Sequence, residues 1–373
     1  MKAKNFPIDK MFLGILGVLL FFGALIFLSA SLTLLGESSQ LIRLISMQLL
    51  FGLGGGVLGA YIMSRIPIVW VKKYALPLAV VGVLLTALVF VIGTGTKGAV
   101  RWINLGPISF QPAEILKYTL IIYYAAWLSF AYKKQESIWY TLAPLLAIIG
   151  TAGAVLLPQP DTDNFLVIAV TCIIMYFVAG GKWKHLGIMF LFGIILGAGL
   201  IMTRPYIMSR INTFLNPSLD PKGASWQIQQ SLMAVGSGGV TGRGFGQSIQ
   251  KFKYLPEPLS DSIYAVAAEE FGFVGSVILI ILYVSLALRG YVIAMKTNDL
   301  FSRYLVVGVI TLVVFQSFLN IASTIGLFPL SGLPLVFVSH GGTSLLFSLL
   351  AMGLVFNVSR YQKTVSLPVT KKM

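Results

Sequence analysis

The chain consists mostly of long apolar runs broken by short polar or charged segments. A helix needs roughly 20 apolar residues to cross a hydrocarbon layer of ~30 Å. Runs of that kind fall near residues 11–35, 43–66, 75–95, 113–131, 139–158, 164–180, 185–203, 263–288, 302–325 and 340–358. The pattern predicts an all-α integral membrane protein with ten transmembrane helices. One polar interruption is long: residues 204–262 predict a large outer loop between helices 7 and 8. No stretch is polar and long enough for a separate soluble domain, so residues 1–373 read as a single polytopic membrane domain.

Composition agrees with this reading. Hydrophobic residues make up 57% of the chain and charged ones 10%, with a mean hydropathy of +0.88. Soluble domains are far more polar. The first run ends FLSAS, and Ser29-Ala30-Ser31 resembles a signal-peptidase site. That run exceeds the about 7–15 residues of a signal core, and Lys2, Lys4 and Lys10 precede it. An uncleaved first span is expected. The single Cys172 falls mid-helix and offers neither a disulfide nor a thiolate metal site.

The net charge of +15 changes meaning once divided among loops. With the N-terminus inside, the short cytoplasmic segments hold Arg65, Lys72, Lys73, Lys133, Lys134, Lys182, Lys184, Arg289, Lys296, Arg303, Arg360 and both Lys-bearing termini. The short outer loops hold only Arg43, Lys97 and Arg101. The positive-inside rule places both termini in the cytoplasm and accounts for most of the basic excess as topology. Nucleic-acid binding is not implied. Of the twelve acids, only Asp9, Glu136 and Asp299 are expected on the cytoplasmic side. Glu37, Glu114, Asp161, Asp163, Asp220, Glu257, Asp261, Glu269 and Glu270 are expected outside or in the membrane. Charge there is costly and marks functional sites, so the outer half should hold the chemistry.

In SFQPAEILKYTL, Gln111-Pro112 opens the fourth helix, and proline suits a first turn. Glu114 and Lys117 then share one face at i,i+3. One reading is an ion pair that lets both charges be buried. Another adds Arg101 and makes a cationic pocket for an anionic headgroup. In KYLPEPLSDSIYAVAAEEFG, Ser260-Asp261 stands where the eighth helix should be capped. Asp261 is either that cap or a catalytic carboxylate. Glu269 and Glu270 lie two turns further on and are assigned to pairing inside the bundle. GSGGVTGRGFG at 236–246 looks like a phosphate cradle, but no GK[ST] follows, and a flexible or re-entrant loop is expected. His185 reads as an interface residue and His340 stays open; two histidines so far apart make no zinc site. The sequon at Asn357 falls at a cytoplasmic helix end.

An outer-face site has no ATP, so a bond made there needs an already activated substrate, such as a sugar carried on a lipid pyrophosphate. A flippase or transporter fits these facts too. The blocks GAVRWINLGPISFQPAEILK, RINTFLNPSLDPKGASWQIQQSLMAVGSGGVTGRGFGQSIQKFKYLPEPLSDSIYAVAAEEFGFVG and GLFPLSGLPLVFVSHGGTSLL then carry a resemblance. In this order they resemble the SEDS family of bacterial peptidoglycan polymerases, over nearly the whole chain. QKFKYLPEP and GGKWKHL look closer to the division type, FtsW, than to the elongation type, RodA.

The resemblance implies a peptidoglycan glycosyltransferase that polymerises lipid II at the outer face of the cytoplasmic membrane, at the septum. It implies a class B penicillin-binding protein as crosslinking partner, with other division proteins, and undecaprenyl pyrophosphate as the inverting leaving group. It puts the essential aspartate on Asp261, a functional tryptophan on Trp102 and the Glu/Lys pair on Glu114 and Lys117. Arg101, Arg210 and Ser339 join them as expected substrate-binding residues, and a divalent cation (Mg2+ or Mn2+) is the expected cofactor. An elongation-type polymerase and a lipid II flippase are the alternatives. The chain departs from the family pattern in places. The usual PDxGT reads Pro160-Asp161-Thr162-Asp163-Asn164, and Leu259 stands where His or Thr is usual. PFxSYGG becomes Val336-Phe337-Val338-Ser339-His340-Gly341-Gly342, and the expected Arg-Gln reads Met47-Gln48.

Overall fold

The computed structural model describes residues 8–36, 38–96, 99–105, 108–134, 137–217, 225–252 and 254–360. The termini, Glu37, Lys97, Glu136, Asp220, Lys222 and Lys253 therefore lie outside the described residues. The apolar runs fold as helices. The first span is α1 (Lys10–Ser31), whose N-terminal Phe12 N–H is capped by the Asp9 carboxylate at 2.9 Å. The second is composite: α2 (Ser38–Ser46), a π-helical stretch (Met47–Gly55) and α3 (Gly56–Met63). A short α4 (Ile68–Lys73) leads into α5 (Ala75–Ile92). Then come α6 (Pro112–Ala131), α7 (Ile138–Leu156), α8 (Thr162–Val178) and α9 (Trp183–Thr203). The 204–262 segment contains α10 (Pro205–Leu215) and α11 (Trp226–Ser237). The last three are α12 (Ile263–Met295), α13 (Leu300–Thr324) and α14 (Gly342–Ser359).

Each of the ten expected stretches is helical. Among the described residues, eight segments are long and apolar enough to cross a membrane. The 17-residue α8 is shorter, and α9 stands outside that count. The protein is a nearly all-helical membrane protein, and α13 and α14 are its most enclosed spans.

Small residues let the second span lie against α14. Gly52, Gly56 and Ala60 recur every fourth residue and form one face. A Cβ added at Gly52 would lie 3.2 Å from the Gly342 Cα, and one at Gly56 would lie 2.5 Å from Leu349 Cδ1. On the facing helix, a Cβ at Gly353 would sit 2.5 Å from the Ala60 carbonyl oxygen. Close backbone approach through small residues replaces the hydrophobic driving force that lipid removes. Large side chains such as Leu50, Leu58, Leu84 and Phe90 point outward, as lipid contact requires.

One feature departs from the all-α expectation. Between α5 and α6 lies a small antiparallel sheet of β1 (Thr94–Thr96), β2 (Ala99–Leu105) and β3 (Ile108–Phe110). β2 is central, pairing Trp102 with Thr94 and Ile103 with Phe110. Successive strand residues face opposite sides. The register shifts at this point, with Thr94 opposite Trp102 and Gly95 opposite Val100, so Arg101 is the extra residue of a β-bulge, a feature that re-aims side chains.

Candidate active site

The segment before α12 places Asp261, and most of its backbone is held by hydrogen bonds. Glu257 adopts a positive φ of 49°, and its carbonyl accepts from the Ser260 and Ser262 N–H groups, both at 3.2 Å. The carbonyls of Leu259, Ser260 and Asp261 are each taken by a donor from elsewhere. Leu259 O accepts from His340 N at 2.7 Å, and Ser260 O from the Ser339 hydroxyl at 2.6 Å. Asp261 O accepts from Asn320 Nδ2 at 2.8 Å, while the same amide nitrogen also reaches Leu333 O at 2.8 Å. Leu335 N–H donates to the Ser339 hydroxyl at 2.8 Å. Ser339 and Asn320 are thus committed to holding the Asp261 loop against α13 and the 331–341 segment. Asp261 is not the helix cap: Ser262 takes the N-cap position and α12 starts at Ile263.

The Asp261 carboxylate faces Gly332 together with two other charged groups. A Cβ added at Gly332 would lie 3.8 Å from Asp261 Oδ2, 3.8 Å from Asp163 Oδ2 and 4.0 Å from Arg210 Nη2. Arg210 Nη1 donates to both Asp163 oxygens, at 3.1 and 2.9 Å, and Gly332 N–H donates to Asp163 Oδ2 at 2.9 Å. The Arg210 guanidinium also packs 6.0 Å from the Tyr206 ring centroid. Four segments far apart in sequence (α8, α10, the segment before α12 and the loop after α13) meet here.

Beside this lies a second acidic corner. Asp161 accepts from Asn164 Nδ2 at 2.9 Å and from Gln111 Nε2 at 3.5 Å, and Arg101 Nη1 stands 3.9 Å from its Oδ1. Arg101 also donates to the carbonyls of Gln159, at 3.1 Å, and Pro160. Arg101 therefore ties the sheet to the α7–α8 corner, and Trp102, half-buried, follows it in β2 opposite Thr94.

Glu114 and Lys117 form the i,i+3 pair at 2.9 Å, and both are buried. Lys117 Nζ also donates to Gln316 Oε1 at 2.7 Å, and the Ser344 hydroxyl donates to Glu114 Oε2 at 3.0 Å. The pair joins α6 to α13 and α14. Lys117 is wholly enclosed, so Arg101, Lys117 and Arg210 do not share one open cationic pocket. Of the three, Arg210 is the one that reaches the point over Gly332.

Glu269 and Glu270 pair inside the bundle. Glu269 accepts from the Ser248 hydroxyl at 2.5 Å and from the N–H groups of Ile249 (3.0 Å) and Gln250 (3.2 Å), with Arg243 Nε 3.4 Å away. Glu270 accepts from Lys251 Nζ at 2.7 Å and from the Ser29 hydroxyl at 2.6 Å. The glycine-rich segment supplies the Arg243 side chain to Glu269, while the hydrogen bonds to that carboxylate come from residues 248–250 just beyond it. It packs on α12 at Gly272 (φ 65°), where a Cβ would lie 2.6 Å from the Val240 carbonyl oxygen. His185 is buried and bonded to the Tyr176 hydroxyl at 2.5 Å. His340 stacks on Phe27 with ring centroids 6.1 Å apart. Sequence reading did not single out Asn320, Gln316 or Gly332; each lies in an apolar or loop context where nothing announces a long-range partner.

A multi-span bundle with its buried charges gathered near one set of loops belongs to a definable class. The family model for the FtsW/RodA/SpoVE cell cycle proteins matches residues 9–364. Stage V sporulation protein E of Bacillus subtilis (strain 168) is 39% identical over 318 residues, covering 85% of this chain and 87% of the relative. A Trichlorobacter lovleyi protein described as "Probable peptidoglycan glycosyltransferase FtsW" is 39% identical over 339 residues, covering 87% and 85%. Among solved structures, a chain from work on "Structural coordination of polymerization and crosslinking by a peptidoglycan synthase complex" superposes with TM-score 0.76. It is 29% identical and covers 92% of this chain and 98% of its own. The Thermus thermophilus rod shape determining protein RodA gives TM-score 0.68 at 28% identity, covering 95% and 98%. The chain belongs to the FtsW/RodA/SpoVE family, the SEDS proteins.

Proposed function

We propose that this chain polymerises lipid II into glycan strands at the outer face of the cytoplasmic membrane, with Asp261 as general base. The observation that carries this reading is the Asp261 carboxylate, fixed through three consecutive backbone carbonyls and set opposite Arg210 over Gly332. Asp261 takes the proton of the acceptor sugar's 4-hydroxyl as that oxygen attacks C1 of the donor sugar. The C1–O bond to undecaprenyl pyrophosphate breaks, its electron pair leaves with the pyrophosphate, and the anomeric centre inverts. A positioned base contributes typically ~10²–10⁴-fold. Arg210 supplies positive charge to the leaving pyrophosphate, where a site shielded from water strengthens the effect. Glu114 and Lys117 brace α6 against α13 and α14, Arg101 ties β2 to the α7–α8 corner, and Ser339 holds the base in place.

Among the described residues, no three His, Cys, Asp or Glu side chains group into a metal cage. Mg2+ commonly takes only one or two carboxylates together with substrate phosphate oxygens, and Asp261 beside a pyrophosphate fits that donor set. A divalent cation held so would neutralise charge on the pyrophosphate oxygens. The partner of this reading is a class B penicillin-binding protein. It is supported by a structural neighbour described in terms of coordinated polymerisation and crosslinking. Both termini would lie in the cytoplasm and the protein would act at the septum, with other division proteins.

The rival reading is a lipid II flippase, which would string charge through the bundle to the far leaflet. Among the described residues, the fully enclosed acids and lysines (Glu114, Lys117, Asp161, Lys251, Glu269 and Glu270) instead lie within about two turns of the loop-rich end. The deciding experiment places the purified chain, with its penicillin-binding partner, in liposomes containing lipid II and a divalent cation. Strand formation is then read alongside transbilayer movement. Strands support the polymerase; movement without strands supports the flippase.

A further inference from the structure

Asp163 is the acid this chain carries where the family pattern has glycine, so its contacts are not inherited from that pattern. It lies in the first turn of α8 and is buried. All its contacts converge on one purpose. Both its oxygens accept from a single guanidinium nitrogen, Arg210 Nη1, at 3.1 and 2.9 Å. Oδ2 also accepts from Gly332 N–H at 2.9 Å, which fixes the carboxylate to the loop after α13. The other guanidinium arm, Nη2, is left at the point over Gly332 that Asp261 Oδ2 also reaches. A guanidinium is a rigid planar fork, so holding one arm aims the other. The side chain of Arg210 is otherwise long and partly exposed. Without the clamp it has many rotamers to visit.

We propose that Asp163 is a positioning residue for glycosyl transfer: it holds Arg210 by Nη1 and so keeps Nη2 directed at the space shared with Asp261. Asp163 itself is turned to Arg210 and Gly332 and does not act on the sugar. Gly332 is part of the device, because its N–H completes the clamp and its missing side chain leaves the shared space open. The inference rests on the polymerase reading.

The test is a double-mutant cycle on the full chain with its penicillin-binding partner, measuring kcat and KM for strand formation from lipid II. Asp163→Asn keeps the shape and removes the charge. Misplacing a catalytic group by an ångström costs on the order of a hundredfold, and a loosened one about tenfold or more in kcat, with KM moving less than about threefold. In an Arg210→Gln background, Asp163→Asn should cost less than about twofold further, because the group it acts through is gone. Wild-type kcat in Asp163→Asn, or losses that multiply in the double variant, would overturn the proposal. A cycle of Asp163→Glu with Arg210→Lys, which keeps both charges, reads the same coupling if the neutral variants do not fold. Multiplying losses there count against the clamp too. Strands from the wild type beside multiplying losses overturn the clamp alone; no strands from the wild type overturn the polymerase reading and the clamp together.

Discussion

Replacing Glu270 by alanine should be among the most damaging single changes outside the active site. Lys251 is fully enclosed, and its ammonium has three acceptors: Glu270 Oε1 at 2.7 Å, Ser29 Oγ at 2.9 Å and Ser29 O at 3.1 Å. Glu270→Ala removes the nearest acceptor and the only one bearing charge. Breaking a buried pair by removing one partner costs ~3–5 kcal/mol, because the other charge stays buried. The two Ser29 oxygens remain, which puts the expectation near the lower end, about 3 kcal/mol. The same estimate makes a second, sharper demand. Removing the ammonium too, in Lys251→Met/Glu270→Ala, should recover most of the loss and leave about 1 kcal/mol, since no charge is then stranded. Unfolding by SDS titration in mixed micelles measures both. A single variant costing under about 1 kcal/mol, or a double variant as costly as the sum of the singles, would refute the reasoning.

Two further outcomes are expected. Asn320→Ala removes the donor to both Asp261 O and Leu333 O. It should lower kcat by roughly 10²-fold through a displaced base while lipid II binding, read by equilibrium titration, stays near wild type. At the other end of the bundle, burial alone would raise the Asp9 carboxyl. Hydrogen bonds from Arg289 and the Phe12 N–H, with the charges of Arg289 and Lys296, instead hold it below its ordinary 3.8. A depressed carboxyl stabilises the fold above its unfolded value of about 3.9, and that contribution is lost as the pH falls through the folded value. Asp9→Asn should therefore flatten the loss of stability measured between neutral and acid pH.

The spans were legible because lipid demands long apolar helices, and the composite second span read as well as the straight ones. Glu114 and Lys117 could be paired from their spacing alone, since i,i+3 contacts are local. Long-range partners could not be read. Nothing in the sequence says that Ser248, Ile249 and Gln250 present an O–H and two N–H groups to Glu269, or that Lys251 reaches back to Ser29. The sheet around Arg101 was missed because its outer strands are three residues long and sit among glycines. It matters to the site, because the strand carries Arg101 to the carbonyls of Gln159 and Pro160. The Asp261 position came from resemblance, and local pattern alone suggested a cap that Ser262 in fact occupies. Gly332 carries no chemistry of its own and became visible only once three charged groups were seen around it.

The most direct test of the whole account is strand synthesis by the wild type and by Asp261→Asn, each with the penicillin-binding partner, lipid II and a divalent cation. The account predicts long glycan strands from the wild type. It predicts essentially none from Asp261→Asn, whose unfolding in mixed micelles and lipid II binding should match the wild type. Strands from both proteins at similar rates would contradict it, and would remove Asp261 from the chemistry.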